Sequence, residues 1–183
     1  VQADFNGDGL LDVFIGGARN QEPSLFIQNN QGKFSKKKLD VFKEDSMYED
    51  VDAIAFDIDN DNDLDIYALS GGSDYEEGDP LLEDRVYIND GKAKFTKLNA
   101  TLLATNGGSV SSYDYNNDGF LDLFIGSRSI PNAYGLSPFS YILKNTGNTN
   151  FEIQFKKRFG MITDSKWADI NKDGLVELIL AGD

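Results

Sequence analysis

The sequence predicts an all-β fold made of repeated four-stranded units, and a recurring motif carries this prediction. A nine-residue acidic motif starts at residues 4, 57, 114 and 169, so successive copies lie 53, 57 and 55 residues apart. A short apolar run follows every copy, and two apolar segments joined by an Asn/Asp/Gly turn follow the first three. Repetition at such a period is typical of arrays in which each repeat is one supersecondary unit.

Four strands are predicted in each repeat, in chain order. An alternating stretch such as 51–57 precedes the motif and predicts a first strand that leads into it. The run after the motif, such as VFIGG from Val13, is short, rich in β-branched and aromatic residues and closed by glycine, which predicts a buried second strand. The segments 25–34, 86–95 and 141–151 each predict a hairpin of a third and a fourth strand.

Four antiparallel strands in each repeat correspond to one blade of a β-propeller. The predicted fold is therefore a β-propeller segment of about three blades plus part of a fourth. Its repeats lie approximately at 1–50, 51–107, 108–163 and 164–183 of a single domain. Since propellers close with about four to eight blades, we expect the remaining blades to come from the same longer chain or from other chains. An independent β-solenoid or sandwich of the same strands is the alternative.

Composition excludes several function classes. The chain has 31 acidic and 17 basic residues, a net charge of −14, and 14 of the acids lie in the four motifs. This balance argues against nucleic acid as a partner, because phosphate binding requires clustered Lys and Arg. The chain contains no Cys and no His, which removes thiolate chemistry and the commonest general base. No apolar run approaches a membrane span of about 20 residues, and residues 1–9 are not a signal peptide, so we expect a mature or excised segment without membrane insertion.

Each acidic motif has the oxygen-rich composition that calcium requires. Calcium binds six to eight oxygen ligands, which short acidic loops supply by curling round the ion. Motif positions 1, 3, 5 and 9 offer side-chain oxygens and position 7 offers a backbone carbonyl. The predicted ligands are Asp4, Asn6, Asp8, Leu10 and Asp12; Asp57, Asp59, Asp61, Asp63 and Asp65; Asp114, Asn116, Asp118, Phe120 and Asp122; and Asp169, Asn171, Asp173, Leu175 and Glu177.

An EF-hand and a solvated turn are the two other interpretations of the motif. An EF-hand requires a bidentate Glu at position 12, but that position holds Ile15, Ala68, Ile125 and Leu180 here. Solvated Asp/Asn/Gly turns would use the same residue types, although four copies with an acid retained at position 9 favour a cation. At position 6 the loop must turn sharply, and Gly9, Gly119, Gly174 and Asn62 tolerate a positive φ. We expect up to four structural calcium ions, with the fourth loop weakest because it contains Lys172 and the longer Glu177.

The motif, the apolar-glycine strand after it and the hairpin together resemble the FG-GAP/VCBS repeats of integrin α-subunit propellers and of many exported bacterial proteins. The stretches SGGSDYEEGDPLLEDRVYINDG and GSRSIPNAYGLSPFSYILKN further resemble the branch similar to cartilage acidic protein. This resemblance implies an extracellular, secreted, cell-surface or periplasmic location. It also implies a calcium-stabilised propeller with a role in binding or adhesion.

Strand alternation predicts which loops share a face. The acidic loops and the hairpin turns should project from one side, and the variable connections between the second and third strands from the other. Insertions on one face of a repeat protein often form its binding surface, and integrin-type propellers use that face. A protein or glycan ligand would accordingly meet Arg19, Tyr75, Arg128 and Tyr134. A non-enzymatic binding module is the leading interpretation; a glycan-binding or polysaccharide-lyase-type propeller and a purely structural spacer are the alternatives.

Overall fold

Antiparallel strands dominate the computed structural model, which describes residues 1–133, 135–147 and 149–183. The first sheet contains β1 (Gln2–Ala3), β2 (Asp12–Ile15), β3 (Ser24–Gln28) and β4 (Phe34–Lys37). The second contains β5 (Asp50–Phe56), β6 (Asp65–Ser70), β7 (Arg85–Asn89) and β8 (Phe95–Lys97). The third contains β9 (Gly107–Tyr113), β10 (Asp122–Ser127), β11 (Ser140–Asn145) and β12 (Phe151–Lys157), and the fourth contains β13 (Ile162–Ala168) and β14 (Glu177–Gly182).

Every sheet is a meander in which neighbouring strands are also consecutive in the sequence. All pairs are antiparallel; for example, Leu123 of β10 lies opposite Ser112 of β9 and Leu143 of β11. This arrangement follows from short connections, which join antiparallel strands without a crossover. The predicted all-β fold, three four-stranded blades and part of a fourth, is thereby confirmed.

The second strands of the two middle blades, β6 and β10, are buried on both faces because each lies between two neighbouring blades. In β6, Ile66 and Ala68 pack towards the first blade, whereas Tyr67 and Leu69 pack towards the third. Alternate side chains of a strand point to opposite faces of the sheet. A strand that packs against apolar residues on both faces is therefore apolar at successive positions of the sequence. This explains why the second strands were predictable from runs without alternation.

A short helix, α1 (Asp40–Glu44), connects the first blade to the second. Its Phe42 is buried and packs edge-on against Phe14 at 5.5 Å and Tyr87 at 5.1 Å between ring centroids. The helix was not predicted because five residues are too few for a 3.6-residue periodicity to be recognised. The helix therefore places the side chain of Phe42 in the core between the two blades.

Asparagine side chains join each of the first two acidic loops to the blade that follows it. Asn89, at the end of β7, donates from Nδ2 to the Phe5 carbonyl of the first loop at 2.8 Å. Asn145, at the end of β11, donates in the same way to the Ile58 carbonyl of the second loop at 2.9 Å. Both asparagines are buried. The hairpin end of one blade thus lies against the acidic loop of the preceding blade, on a common face.

Among the described residues, no helix has the length and apolar character needed to cross a membrane.

Candidate metal centres

The four acidic loops curl around the carboxylate of their first residue. In the first loop, Asp4 accepts hydrogen bonds from the N–H groups of Asp8 at 3.2 Å and Gly9 at 2.7 Å. The first residues of the other loops accept bonds from the N–H groups four and five positions later at 2.9 to 3.2 Å; these residues are Asp57, Asp114 and Asp169. The backbone therefore closes on the carboxylate at position 1 in each loop, as expected for a loop that surrounds an ion.

Loop two concentrates its carboxylates most tightly. One oxygen each from Asp57, Asp59 and Asp61 lie within 4.8 Å of one another, a group that can hold a metal ion. Oδ1 of Asp59 is buried and has no hydrogen-bond partner. Burial raises the pKa of the Asp59 carboxyl, and the charges of Asp61 and Asp57 raise it further. A divalent cation would satisfy the orphaned oxygen and offset the repulsion, so these residues fit calcium.

In the first three loops, the buried carboxylate at position 9 accepts a hydrogen bond from the third strand. Asp65 is buried, and its two oxygens accept hydrogen bonds from the N–H groups of Ile58 at 2.9 Å and Asn89 at 2.8 Å. Asp12 makes the same pair of bonds with Phe5 and Gln28. Burial raises the pKa of Asp65 to about 6, with a contribution from the nearby Asp59 and Asp61 charges. Position 9 is thus a structural tie between loop and strand, and the second lone pair of each oxygen is left for a cation.

Two positions of each loop adopt the left-handed backbone conformation. Position 6 has φ between 72° and 89° in all four loops, including Asn62, as the sequence predicted. Position 4 also has positive φ, at Gly7, Asn60, Asn117 and Lys172. This second turn was not predicted, although Gly and Asn at three of the four positions were the available signal. Lys172 adopts the left-handed conformation although it lacks the short side chain that makes this conformation favourable for Gly and Asn.

A family model described as FG-GAP-like repeat matches residues 4–68, 57–125 and 114–180. The chain belongs to the FG-GAP-like repeat family. Each match begins at the first residue of an acidic loop and ends in the second strand of the next blade, so the loop and its neighbouring strands are the matched feature. A search of the curated proteins gives no match, and the integrin-like and cartilage-acidic-protein-like branches stay predictions. FG-GAP-like repeats are generally non-enzymatic.

The loops of these FG-GAP-like repeats differ in the positive charges near them. In loop three, Lys144 Nζ lies 3.0 Å from Asp118 Oδ2, and this contact lowers the pKa of the Asp118 carboxyl. In loop four, Lys172 is part of the loop itself, and Glu177 accepts from the Ile170 N–H at 2.9 Å. Loop two has five carboxylates and no basic residue within its sequence. Loop two is therefore the one whose charge most requires a cation.

The four residues predicted for recognition all lie in connections between second and third strands. Arg19 places its guanidinium 5.3 Å from the ring centroid of Tyr75 and pairs with Asp74 at 3.9 Å. Tyr75 is only 4% exposed, so little of its side chain is available to a ligand, and its role in recognition stays a prediction. Arg128 is exposed and lines a cavity of about 470 Å³ with Glu49 and Ser73. The remaining residue, Tyr134, lies outside the described residues.

A buried charged network in the second blade was missed by sequence reasoning. Arg85 is 2% exposed and pairs with Asp50, while its guanidinium lies 4.2 Å from the ring centroid of Tyr48. Its neighbour Asp84 accepts hydrogen bonds from the Tyr67 hydroxyl at 2.7 Å and the Ser70 N–H at 3.0 Å. In the sequence, Asp84 and Arg85 look like an ordinary pair of exposed charged residues. They are buried only because segments distant in the sequence pack around them in the fold.

Proposed function

We propose that this chain is a calcium-stabilised, non-enzymatic binding module of an extracellular protein, with structural calcium in the acidic loops and ligand recognition on the opposite face. The observation that carries the proposal is loop two, where three carboxylates converge and a buried oxygen of Asp59 lacks a partner. A carboxylate buried without a counterion is costly, and calcium compensates this cost with its own charge.

The extracellular location rests on the resemblance of the motif to repeats of exported proteins. It implies weak calcium sites, because extracellular calcium modules typically bind with Kd values of about 10⁻⁴ to 10⁻³ M. The absence of Cys and His from the sequence leaves oxygen donors as the chain's metal ligands, and hard oxygen donors favour calcium over the transition metals. A protein or glycan partner would bind across the blades from these loops.

The ligand role of Asp59 is tested by comparing two variants of loop two. Asp59→Ala removes a proposed ligand oxygen, whereas Asp63→Ala removes an equal charge from position 7, where the backbone carbonyl is the proposed ligand. We expect Asp59→Ala to weaken one calcium site by on the order of tenfold or more, because ligand number and charge set the affinity. Isothermal titration calorimetry measures both variants against the unaltered protein.

The matched control determines how the result is interpreted. Asp63→Ala should change the affinity by less than about threefold, since it alters only the surrounding potential. Equal losses in the two variants would mean that loop two attracts calcium by general charge and does not coordinate it. Absence of calcium binding by the unaltered protein would refute the proposed function.

A further inference from the structure

The dipeptide Asn6–Gly7 occupies positions 3 and 4 of the first acidic loop. The sequence contains one other Asn–Gly pair, Asn106–Gly107. In an Asn–Gly pair the glycine nitrogen can attack the side-chain amide of the preceding asparagine with little hindrance, because glycine has no Cβ beside that nitrogen. The surroundings of the two pairs therefore decide whether either of them reacts.

The first pair lies at the surface in open surroundings. Gly7 is exposed and Asn6 is half-buried, so water reaches both residues. A Cβ placed on Gly7 would meet the Gly91 carbonyl oxygen at 3.8 Å, which is an ordinary contact distance. The backbone at Gly7 therefore has room to move towards the side chain of Asn6.

Two hydrogen bonds of the loop favour this attack. Asp4 Oδ1 accepts from the Gly7 N–H at 2.8 Å, so a carboxylate base lies within reach of the proton that the attacking nitrogen must lose. The Asp8 N–H donates to Asn6 Oδ1 at 3.0 Å. A donor at this oxygen stabilises the negative charge that develops on it when the amide carbon is attacked.

We propose that Asn6 is a site of spontaneous deamidation, which calcium in the first loop suppresses. The Gly7 nitrogen forms a bond to Cγ of Asn6, the Cγ–Nδ2 bond breaks, and ammonia leaves with the proton that Gly7 has lost. Water then opens the cyclic imide at either of its carbonyl carbons and leaves aspartate or isoaspartate. The net reaction consumes water and releases ammonia, without any change of oxidation state.

Calcium would slow this reaction by holding the side chain of Asn6, an effect that rests on the proposed function. Asp4 and Asn6 are both proposed calcium ligands, so the rotation that brings Cγ to the Gly7 nitrogen would require ligands to leave the ion. Either acid adds a negative charge to the loop, and isoaspartate also lengthens its backbone by one carbon. Loss of calcium from loop one would thereby become an irreversible chemical change.

Loops three and four repeat this arrangement without the glycine. The side-chain oxygens of Asn116 and Asn171 each accept from the N–H two positions later at 2.8 Å, a bond equivalent to that of Asn6. Asn117 and Lys172 follow these asparagines, and each places a Cβ beside the nitrogen that would attack. We therefore expect deamidation at both positions to be slower than at Asn6.

The second Asn–Gly pair has the glycine in rigid surroundings. Asn106 is 6% exposed; its Oδ1 accepts from the Gly72 N–H at 3.0 Å and its Nδ2 donates to Ser129 Oγ at 2.7 Å. A Cβ on Gly107 would lie 2.5 Å from the Leu69 side chain, so the backbone here is closely packed. Asn106 should stay intact in the folded chain and react only when urea unfolds it.

The test incubates the folded chain at mildly alkaline pH, with calcium or with a chelator at matched ionic strength. Mass spectrometry of peptides detects the mass increase that accompanies conversion of an amide into an acid. In chelator, Asn6 should react faster than Asn106, Asn116 and Asn171. At about 2 mM calcium and a Kd near 10⁻⁴ M, about one loop in twenty is free of calcium, so the rate at Asn6 should fall about twentyfold.

Exchanging position 4 between two loops tests the site directly. Gly7→Asn gives loop one the residue of loop three and should slow deamidation at Asn6 about tenfold or more, because a Cβ then hinders the nitrogen. Asn117→Gly should create a new deamidation site at Asn116. Both variants should fold, since φ is 72° at Gly7 and 58° at Asn117, and Gly and Asn both tolerate this conformation.

The inference is wrong if Asn6 reacts no faster in chelator than Asn116 and Asn171, or if Gly7→Asn leaves its rate unchanged. Equal rates at Asn6 in calcium and in chelator would also overturn it, provided that calorimetry shows calcium binding to the chain. Deamidation at Asn6 in a chain that binds no calcium would instead refute the proposed function and uphold Asn6 as the modification site.

Discussion

At the scale of single residues, Asp84 is the described carboxyl group whose pKa the fold raises most. It is 2% exposed, and burial raises the pKa of its carboxyl to about 7 despite the hydrogen bonds from Tyr67 and Ser70. The adjacent Arg85 lowers this pKa and Glu83 raises it, both by smaller amounts. In the unfolded chain the same carboxyl titrates near 3.8. The folded state therefore retains a proton over a pH interval in which the unfolded state has lost it.

The sign of the resulting pH dependence follows from proton linkage. Between about pH 4 and pH 7 the folded state binds more protons at Asp84 than the unfolded state, so this residue makes stability fall as pH rises and has no further effect above pH 7. Asp84→Asn cannot titrate, and we expect its midpoint of urea unfolding to vary less steeply across this interval. Measurements on both proteins at constant calcium check the difference. Parallel pH profiles would show that Asp84 is ionised throughout.

Single residues also show where sequence-based prediction reached its limit. The closed acidic loops and the left-handed position 6 were predictable because a local motif fixes both. The buried pair of Arg85 and Asp50 was not, since the two residues are 35 positions apart and meet only when β5, β6 and β7 assemble. The burial of Tyr75 was not predicted for a similar reason, because Arg19, whose guanidinium lies over its ring, comes from another blade.

At the scale of elements, the contact between one blade and the next depends on a repeated asparagine. Asn145 is completely buried, donates to the Ile58 carbonyl at 2.9 Å and accepts from the Gly147 N–H at 3.0 Å. The equivalent residue of the first blade is Gln28, whose N–H bonds to Asp12 just as the Asn145 N–H bonds to Asp122. Gln28 is only partly buried. Asn145 and Gln28 therefore allow the same position of the blade to be compared where it is buried and where it is partly exposed.

We expect Asn145→Ala to destabilise the protein by about 1 to 3 kcal/mol, because it leaves the buried Ile58 carbonyl without its partner. Gln28→Ala should change the stability by less than about 0.5 kcal/mol, as is usual at partly exposed positions. Urea denaturation measures both. Similar effects of the two substitutions would show that the asparagine bond does not join the blades.

Elements also differed in how well the sequence predicted them. The four-stranded blades were predictable because each strand has its own apolar pattern and each turn its own Asn, Asp or Gly residues. The helix α1 was not predictable, because its role depends on Phe42 reaching a core formed by β2, β7 and β8. The register shift near Ser127 was also missed, since no local residue pattern specifies it.

At the scale of the whole molecule, charge and fold depend on each other. Fourteen of the 31 acidic residues lie in four loops on one face, and asparagines of the following blade bind the backbone of the first two loops. Cations in the loops would therefore stabilise the blade contacts as well as the loops themselves. Without them, like charges repel within each loop. The opposite face, on which the exposed Arg128 lies, is the one proposed for ligand recognition.

The most direct test of the account is differential scanning calorimetry with and without calcium at matched ionic strength. At about 2 mM calcium and a Kd near 10⁻⁴ M, each occupied site adds about 1.8 kcal/mol, which raises the Tm by about 4 to 7 °C for a chain of this size. Magnesium should raise it less, because that ion demands a smaller octahedral shell, and a chelator should reverse the calcium effect. A Tm that is the same in calcium and in chelator would contradict the claim that the acidic loops hold structural calcium.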